Sequence, residues 1–464
     1  MSLQVTTLDG ASTGLGDSTL DGFRQSVRGD VILATDPQYG AARPVWNGNI
    51  QKSPAMIVRC AGVSDVQRCI DFARTHSVLL SIRGGGHSAP GYGSNDGGIV
   101  LDMGPMKGIQ VDPTGRIARV QGGVLWREFD HETQAFGLAT TGGTVSNTGV
   151  AGLTLGGGLG WLMGKHGATV DNLLSADVIT ADGQFRKASV AENPDLFWAL
   201  RGGGGNFGAV TSFEFNLHPI SQTLSGLVLW PLSQARDVLR RYRDFAATLP
   251  DEAEAYAALL TSPDGVPMVA LILGYNGDLA AGESLFAPLR AFGSPAADMV
   301  APMSYGARQV MLDQPGAIHG LHRYWRSAFT EQLSDGFLDV LIEGAHGFTS
   351  PLSALFLFHV HGAITRVPEG ETAFAARRTQ WDFDVIGQWE DATESARHIG
   401  WVRELWTRLE PHASATTYIN HMAAEDRAET VRASYGANYQ RLRELKRRWD
   451  PTNLFRVNSN IAPA

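Results

Sequence analysis

The chain has almost no cysteine: Cys60 and Cys69 are the only two in 464 residues. So few exclude a disulfide scaffold, and their separation is not that of a metal site. Long apolar runs are missing too, since no segment approaches the roughly eighteen consecutive apolar residues of a membrane span. The opening stretch, MSLQVTTLDGASTGLGDSTL, lacks the basic and apolar regions of a secretory leader. These absences lead us to expect a soluble protein in a reducing, cytoplasmic setting with no membrane partner. Positive charge is scarce as well, with a formal net charge of -9. The one basic stretch, RLRELKRRWD, interleaves Glu444 and Asp450. It reads as the exposed face of a helix and argues against a nucleic-acid partner.

Glycine, by contrast, is abundant, at 54 residues. The length exceeds what one hydrophobic core usually serves, so two domains or a domain with an insertion are expected. The first half alternates short strands and helices: PAMIVRC, then a helix over SDVQRCIDFARTHS with Ser64 as its cap, then VLLSIRGGG. Asp182-Gly183 between apolar runs predicts a hairpin. ENPDLFWALRGG reads as a helix stopped by glycine, and FGAVTSFEFNLHP as a strand. From about 220 the texture changes to amphipathic helices (SQARDVLRRYRDFAATL, GESLFAPLRAFG) between strands (MVALILGY, ALFLFHVHGAI). Near 415 the pattern predicts a strand at TTYINHM and then a long helix ending at Asp450-Pro451.

Four glycine clusters fall within the first 210 residues: Gly84 to Gly86, Gly142-Gly143, Gly156 to Gly158 with Gly160, and Gly202 to Gly205 with Gly208. Glycine lets backbone approach a ligand without a Cβ in the way. Several such clusters together suggest a large, partly anionic ligand held by main-chain N–H groups. Gly203, Gly205 and Gly208 satisfy GxGxxG, but a helix-like segment precedes them and a strand follows, the reverse of a dinucleotide fingerprint. No cluster continues as a phosphate-binding Gly-Lys-Ser/Thr. Around Ser88 the GxSxG elbow is broken by Pro90.

Four ordered stretches carry a resemblance: SIRGGGHSAPGYGSNDGGIVLDM, TGGTVSNTGVAGLTLGGGLGWLMGKHGATVDNLLSADVITADG, DLFWALRGGGGNFGAVTSFEF and YGANYQRLRELKRRWDPTNLFRVNSNIAP. Together they look like the berberine-bridge-enzyme-like FAD-linked oxidases of bacterial type, within the vanillyl-alcohol-oxidase superfamily. The resemblance implies an α+β fold. A two-lobed PCMH-type FAD-binding domain would occupy residues 1–218, with its core from about 50. An inserted substrate domain, an antiparallel sheet covered by helices, would span 219–414, and a C-terminal segment, 415–464, would return to the first domain. It also implies that His87 is bonded to the 8α carbon of the flavin. An imidazole nitrogen is a neutral nucleophile near pH 7, and attachment raises the flavin's potential.

Other roles follow from the same resemblance. Arg83, Gly84, Gly85, Gly86 and Ser88 surround the pyrophosphate. Gly143, Thr144, Val145, Thr148, Gly149, Gly152, Gly157, Gly158 and Gly160 form a second wall, and Asn206, Gly208 and Val210 a third. Asn420, Asn458 and Asn460 bond flavin carbonyls and ribityl hydroxyls. Val145 stands where some relatives carry a second flavin-bonded cysteine, so a single attachment is expected. Thr148 occupies the position that admits or blocks O2, and its size admits it.

Tyr418 matches the tyrosine that faces substrate over the flavin and is a candidate base, with Asn420 on the same face. Such a tyrosine needs a cationic or hydrogen-bonding neighbour to act at neutral pH. The substrate-domain strand ALFLFHVHGAI carries no carboxylate; His359 and His361 there are further candidate bases. No metal is expected, since no ligand cluster accompanies this pair. The reading is an oxidase that abstracts a hydride from a C–OH or C–N centre and passes electrons to O2. A flavin-N5-oxide oxygenase in secondary metabolism and a flavin-binding sensor or storage protein are alternatives. The aromatics Trp325, Phe356, Phe358, Trp381, Phe383 and Trp389 suggest a small, ring-bearing or apolar substrate, and a monomer or homodimer is expected.

Overall fold

The computed structural model describes residues 2–464. Strands Asp30–Leu33, Met56–Arg59, Ile99–Asp102 and Leu80–Arg83 form a small sheet in that spatial order. The last three are mutually parallel, and the first is antiparallel to its neighbour. Their near-continuous apolar sequences suit strands buried on both faces. Helix Val63–Thr75 packs beside them. Its cap is Gly62 rather than the expected Ser64. The polar pin is Asp65 in the first turn, which accepts backbone N–H bonds from Arg28 (2.9 Å), Gly29 (3.1 Å) and Ala61 (2.8 Å). Those three donors tie the preceding chain to the helix start and leave the serine without that task.

A second, antiparallel sheet runs Phe185–Ser189, Leu173–Ile179, Ala209–Asn216, Ile117–Gln121 and Ile109–Asp112. The Asp182-Gly183 hairpin forms as expected, with Gly183 at φ +77°.

The third sheet contains eight strands. Its core order is Gln222–Pro231, Pro267–Tyr275, Ala253–Thr261, Ala354–Val360, Gln380–Trp389 and His322–Thr330, every pair antiparallel. Alternation with period two divides its faces. Ala255, Ala257, Leu355, Leu357, Phe383 and Val385 pack under helices Ala235–Ala246, Asp335–His346 and Ser395–Leu409. Tyr256, Ala258 and Phe358 turn the other way and join Leu159, Trp161, Leu162 and Tyr418 in a separate core. An α+β fold with a helix-covered antiparallel sheet is therefore present. Its uncovered face is packed against the glycine-rich half of the molecule.

Candidate cofactor cavity and active site

A cavity open to solvent lies where the glycine segments converge with the tail. The walls come from three of the four clusters. Gly84 to Gly86 leave the end of strand Leu80–Arg83, Gly143 lies on the approach to helix Val150–Leu155, which Gly149 caps, and Gly204, Gly205 and Gly208 lead into strand Ala209–Asn216. The first two walls touch through backbone: a Cβ on Gly85 would sit 2.6 Å from the Gly149 nitrogen and Cα. No residue with a side chain fits that crossing.

His87, Ser88, Gly143, Thr144, Val145, Thr148, Gly152, Asn206, Val210, Tyr418, Asn420 and Asn458 also border the cavity. Arg83 borders it, but Asp102 Oδ2 (2.9 Å) and the Ala42 carbonyl (2.9 Å) engage its guanidinium, so its charge is already matched. Gly157, Gly158, Gly160 and Asn460 are not among the lining residues. The first three shape the loop behind Tyr418 instead; a Cβ on Gly160 would meet the Gly142 carbonyl at 1.9 Å.

A dinucleotide fits this donor set. Glycine backbone lines the cavity, and Leu80, Met103, Val210 and Phe455 add apolar surface. Asn458 directs its amide N–H groups to the Gly205 and Phe455 carbonyls (both 3.1 Å). Its buried Oδ1 finds no partner among the described residues, an acceptor suited to a ligand hydroxyl or N–H. The tail bearing it is clamped by Lys446. The Lys446 ammonium donates to Asp450 (2.7 Å) and to the carbonyls of Asn206 (2.7 Å) and Phe455 (2.8 Å).

His87 lines the same cavity. Its Nε2 lies 3.0 Å from Asn147 Oδ1, while Asn147 Nδ2 donates to the Ala317 carbonyl at 2.7 Å. That second bond sets the amide's orientation, so Nε2 is the protonated nitrogen and Nδ1 carries the lone pair. Burial above all, then the Arg323 charge, lowers the imidazole to about 3, against a smaller opposing effect of Asn147. The ring is neutral.

Tyr418 is not on a strand. TTYINHM forms an irregular segment ending in a 3-10 turn, Ile419–His421, with Tyr418 as its cap. Only its start meets a strand: the Phe329 N–H of His322–Thr330 donates to the Thr416 carbonyl (3.0 Å) and the Ser414 N–H to the Phe329 carbonyl (2.7 Å), and the chain then turns away into the 3-10 turn. Three donors converge on the Tyr418 oxygen: the Gly158 N–H (2.8 Å), the Leu159 N–H (3.3 Å) and Asn420 Nδ2 (2.7 Å). Burial nevertheless dominates and pushes the phenol up to about 12.

His359 and His361 lie away from the cavity. Parity explains it: His359 follows Leu355 and Leu357 onto the helix-covered face, where it stacks on Trp381 and on His361 (ring centroids 4.8 Å in each case). Trp381 and Phe383 share that face, and Trp389 is buried too, so only Trp325, Phe356 and Phe358 of the six aromatics remain on the cavity side.

The carboxylates absent from Ala354–Val360 are on the adjacent strand. Asp382 and Asp384 of Gln380–Trp389 alternate with Trp381, Phe383 and Val385 and so point from the uncovered face. His421, a cavity residue, places Nδ1 2.9 Å from Asp382 and 3.2 Å from Asp384. Burial opposes its charge, but the two carboxylates outweigh burial and raise this imidazole far above its ordinary value. The trio has ligand atoms close enough to hold a metal, yet the imidazolium already takes the cation's place between the two acids. The alternation in WDFDV was the available signal for this pair, together with a histidine three residues beyond Tyr418.

Comparisons with known proteins agree with this geometry. A family described as FAD binding domain matches residues 54–189, and one described as berberine and berberine like matches residues 417–462. The chain is 31% identical to (R)-6-hydroxynicotine oxidase of Paenarthrobacter nicotinovorans, covering 94% of this chain and 97% of that one. Among solved structures, 6-hydroxy-D-nicotine oxidase from Arthrobacter nicotinovorans superposes with a TM-score of 0.87 at 30% identity, over 95% of this chain and 99% of that one. Berberine bridge enzyme with (S)-reticuline shares the fold, with a TM-score of 0.86 at 19% identity over 97% of this chain and 99% of that one.

Proposed function

The chain belongs to the berberine-bridge-like FAD-linked oxidoreductases, and on that premise we propose that it is an oxidase of C–OH or C–N centres, with O2 as acceptor and H2O2 as product. The convergence of three N–H donors on the Tyr418 oxygen carries this reading. Each donor stabilises the phenolate, the form of this side chain that can take a proton from a substrate. FAD, when bound, supplies the two-electron acceptor.

The residues divide the remaining work. His87 tethers the flavin through Nδ1, the nitrogen that the Asn147 contact leaves free. Tyr418 takes the proton from the substrate O–H or N–H. His421, held as imidazolium by Asp382 and Asp384, provides fixed positive charge beside it, its ring 4.8 Å from that of Tyr418. Trp325 and Phe358 offer apolar surface to a substrate, as the hydroxynicotine oxidase relative suggests for a ring-bearing amine. Thr148 leaves room for O2.

The test is direct. The purified protein is precipitated with acid, and pellet and supernatant are inspected for flavin. A panel of secondary alcohols and cyclic amines is then screened for peroxide under air. Flavin in the pellet and one peroxide per product are the expected results. Release of all flavin refutes the tether, and absence of peroxide from every member of the panel refutes the oxidase reading. Labelled oxygen appearing in the product would favour an oxygenase.

A further inference from the structure

Arg323 is fully buried, and all five of its N–H groups are spent on uncharged oxygens. Nε donates to Gln388 Oε1 (2.9 Å), one terminal nitrogen to the carbonyls of Trp46 (3.1 Å) and Leu321 (3.2 Å), and the other to those of Pro315 (3.2 Å) and Ile318 (2.6 Å). A buried guanidinium without a carboxylate is costly to keep, and proteins rarely retain one without use for its charge. Its plane lies 3.8 Å from the Trp46 ring centre. The Trp46 ring in turn stacks on His87, with centroids 4.1 Å apart and an interplanar angle of 21°. The result is a three-layer stack, guanidinium on indole on imidazole, joining the large sheet to the flavin-bonding histidine.

The stack is pinned at its middle and at its arginine end. Trp46 Nε1 donates to the Gly316 carbonyl (2.8 Å), and the Arg323 backbone N–H donates to Asn47 Oδ1 (3.0 Å). Asn47 Nδ2 also reaches the Ala89 carbonyl (2.8 Å), two residues beyond His87. The indole therefore cannot slide without disturbing the loop that carries the histidine.

We propose that Arg323, which touches neither flavin nor substrate, is a positioning residue for flavin attachment, acting through Trp46 to hold the His87 ring face-on and to disfavour its protonation. This rests on the tether proposed above. In that step the His87 Nδ1–carbon bond forms as one C–H bond of the flavin methyl group breaks. The C–H proton and then the Nε2 proton go to solvent, and the electron pair of the C–H bond goes to the flavin. O2 then removes the pair, with two protons, as H2O2. A protonated imidazole has no lone pair to contribute. The charged or titratable groups felt by His87 are Arg323 and His319, both of which disfavour its cation.

The test uses the full-length chain, produced without flavin and then given FAD in air from pH 5 to pH 8. Acid-stable flavin is followed with time. The wild type should attach flavin at a nearly constant rate across this range. Arg323→Met should attach flavin measurably more slowly toward pH 5 than at pH 8, by less than the roughly tenfold that an unperturbed ring would show, because burial still disfavours the cation. Gln388→Glu, which sets a carboxylate against Nε without removing a side chain, should shift the profile in the same direction if Arg323→Met fails to fold. A profile unchanged from wild type in whichever variant folds would overturn the proposal while leaving the tether intact. A wild type that never retains flavin in acid would refute the tether itself, and this proposal with it.

Discussion

Tyr418 sits in an arrangement that works against itself: three N–H donors favour its phenolate, while burial favours the phenol and wins in the protein without substrate. The proton it takes must therefore be drawn off more easily as pH rises. For a phenol held at about 12, kcat/KM should climb from neutral pH into the alkaline range. Tyr418→Phe should lower kcat by roughly 10²–10⁴-fold, the usual size of a lost acid–base group, and flatten that climb. Steady-state peroxide assays across pH check both. Retention of the slope in the Phe variant would move the role to another group. His359 illustrates the opposite outcome. Burial and its neighbour His361 lower it to about 3, so it is a neutral ring inside a core, remote from the cavity.

Two structural segments hold the site in place, and each invites a measurement. The tail after helix Tyr439–Trp449 depends on one buried ion pair, Lys446 with Asp450, whose carboxylate also receives the N–H groups of Leu454 (2.7 Å) and Phe455 (2.9 Å). Removing one partner strands a buried charge, a change that costs about 3–5 kcal/mol. Asp450→Ala should accordingly lower the unfolding midpoint and the flavin content together, as seen by calorimetry and absorbance. Strand Ala253–Thr261 presents Glu254, which accepts the Gly164 N–H at 2.7 Å and so ties the large sheet to the short helix Met163–His166. Burial raises this carboxyl from 4.5 to about 7. Between those two values the folded chain binds a proton that the unfolded chain does not. Stability therefore falls as pH rises through that window. Glu254→Gln should match the wild type near pH 4.5 and exceed it at pH 8 in denaturant titrations; an equal pH dependence would show that the carboxyl is not strained.

The flavin cavity is a meeting place of distant segments: the loop after Leu80–Arg83, the approach to Val150–Leu155, the turn before Ala209–Asn216, the stretch around Tyr418 and the tail near Asn458. A ligand that bridges five segments of the folded chain stabilises the fold as a unit. With a tether, that stabilisation does not depend on free FAD. His87→Ala, which lacks it, should show an unfolding temperature that rises with added FAD, by about 2.7 kcal/mol of stability at a hundredfold excess over Kd. The wild-type midpoint should be indifferent. A variant equally indifferent would mean that the tether adds nothing to retention.

Local signals were legible in the linear chain wherever a residue answers to its neighbours. The glycine clusters, the Asp182-Gly183 hairpin and the helix before Asp450 follow from backbone freedom and turn chemistry, whereas the fold class and FAD were legible only through the family resemblance of the four long stretches. What the chain could not disclose depends on which strand lies beside which. His359 and His361 look like bases until the parity of Ala354–Val360 turns His359 under the helices, and Asp382 and Asp384 go unremarked until the next strand aims them at His421. Arg323, Trp46 and His87 are far apart in sequence, and no period or motif links them. Tertiary structure brought them together because a buried polar group must find its partner in space, and the sheet alone determines where that partner is.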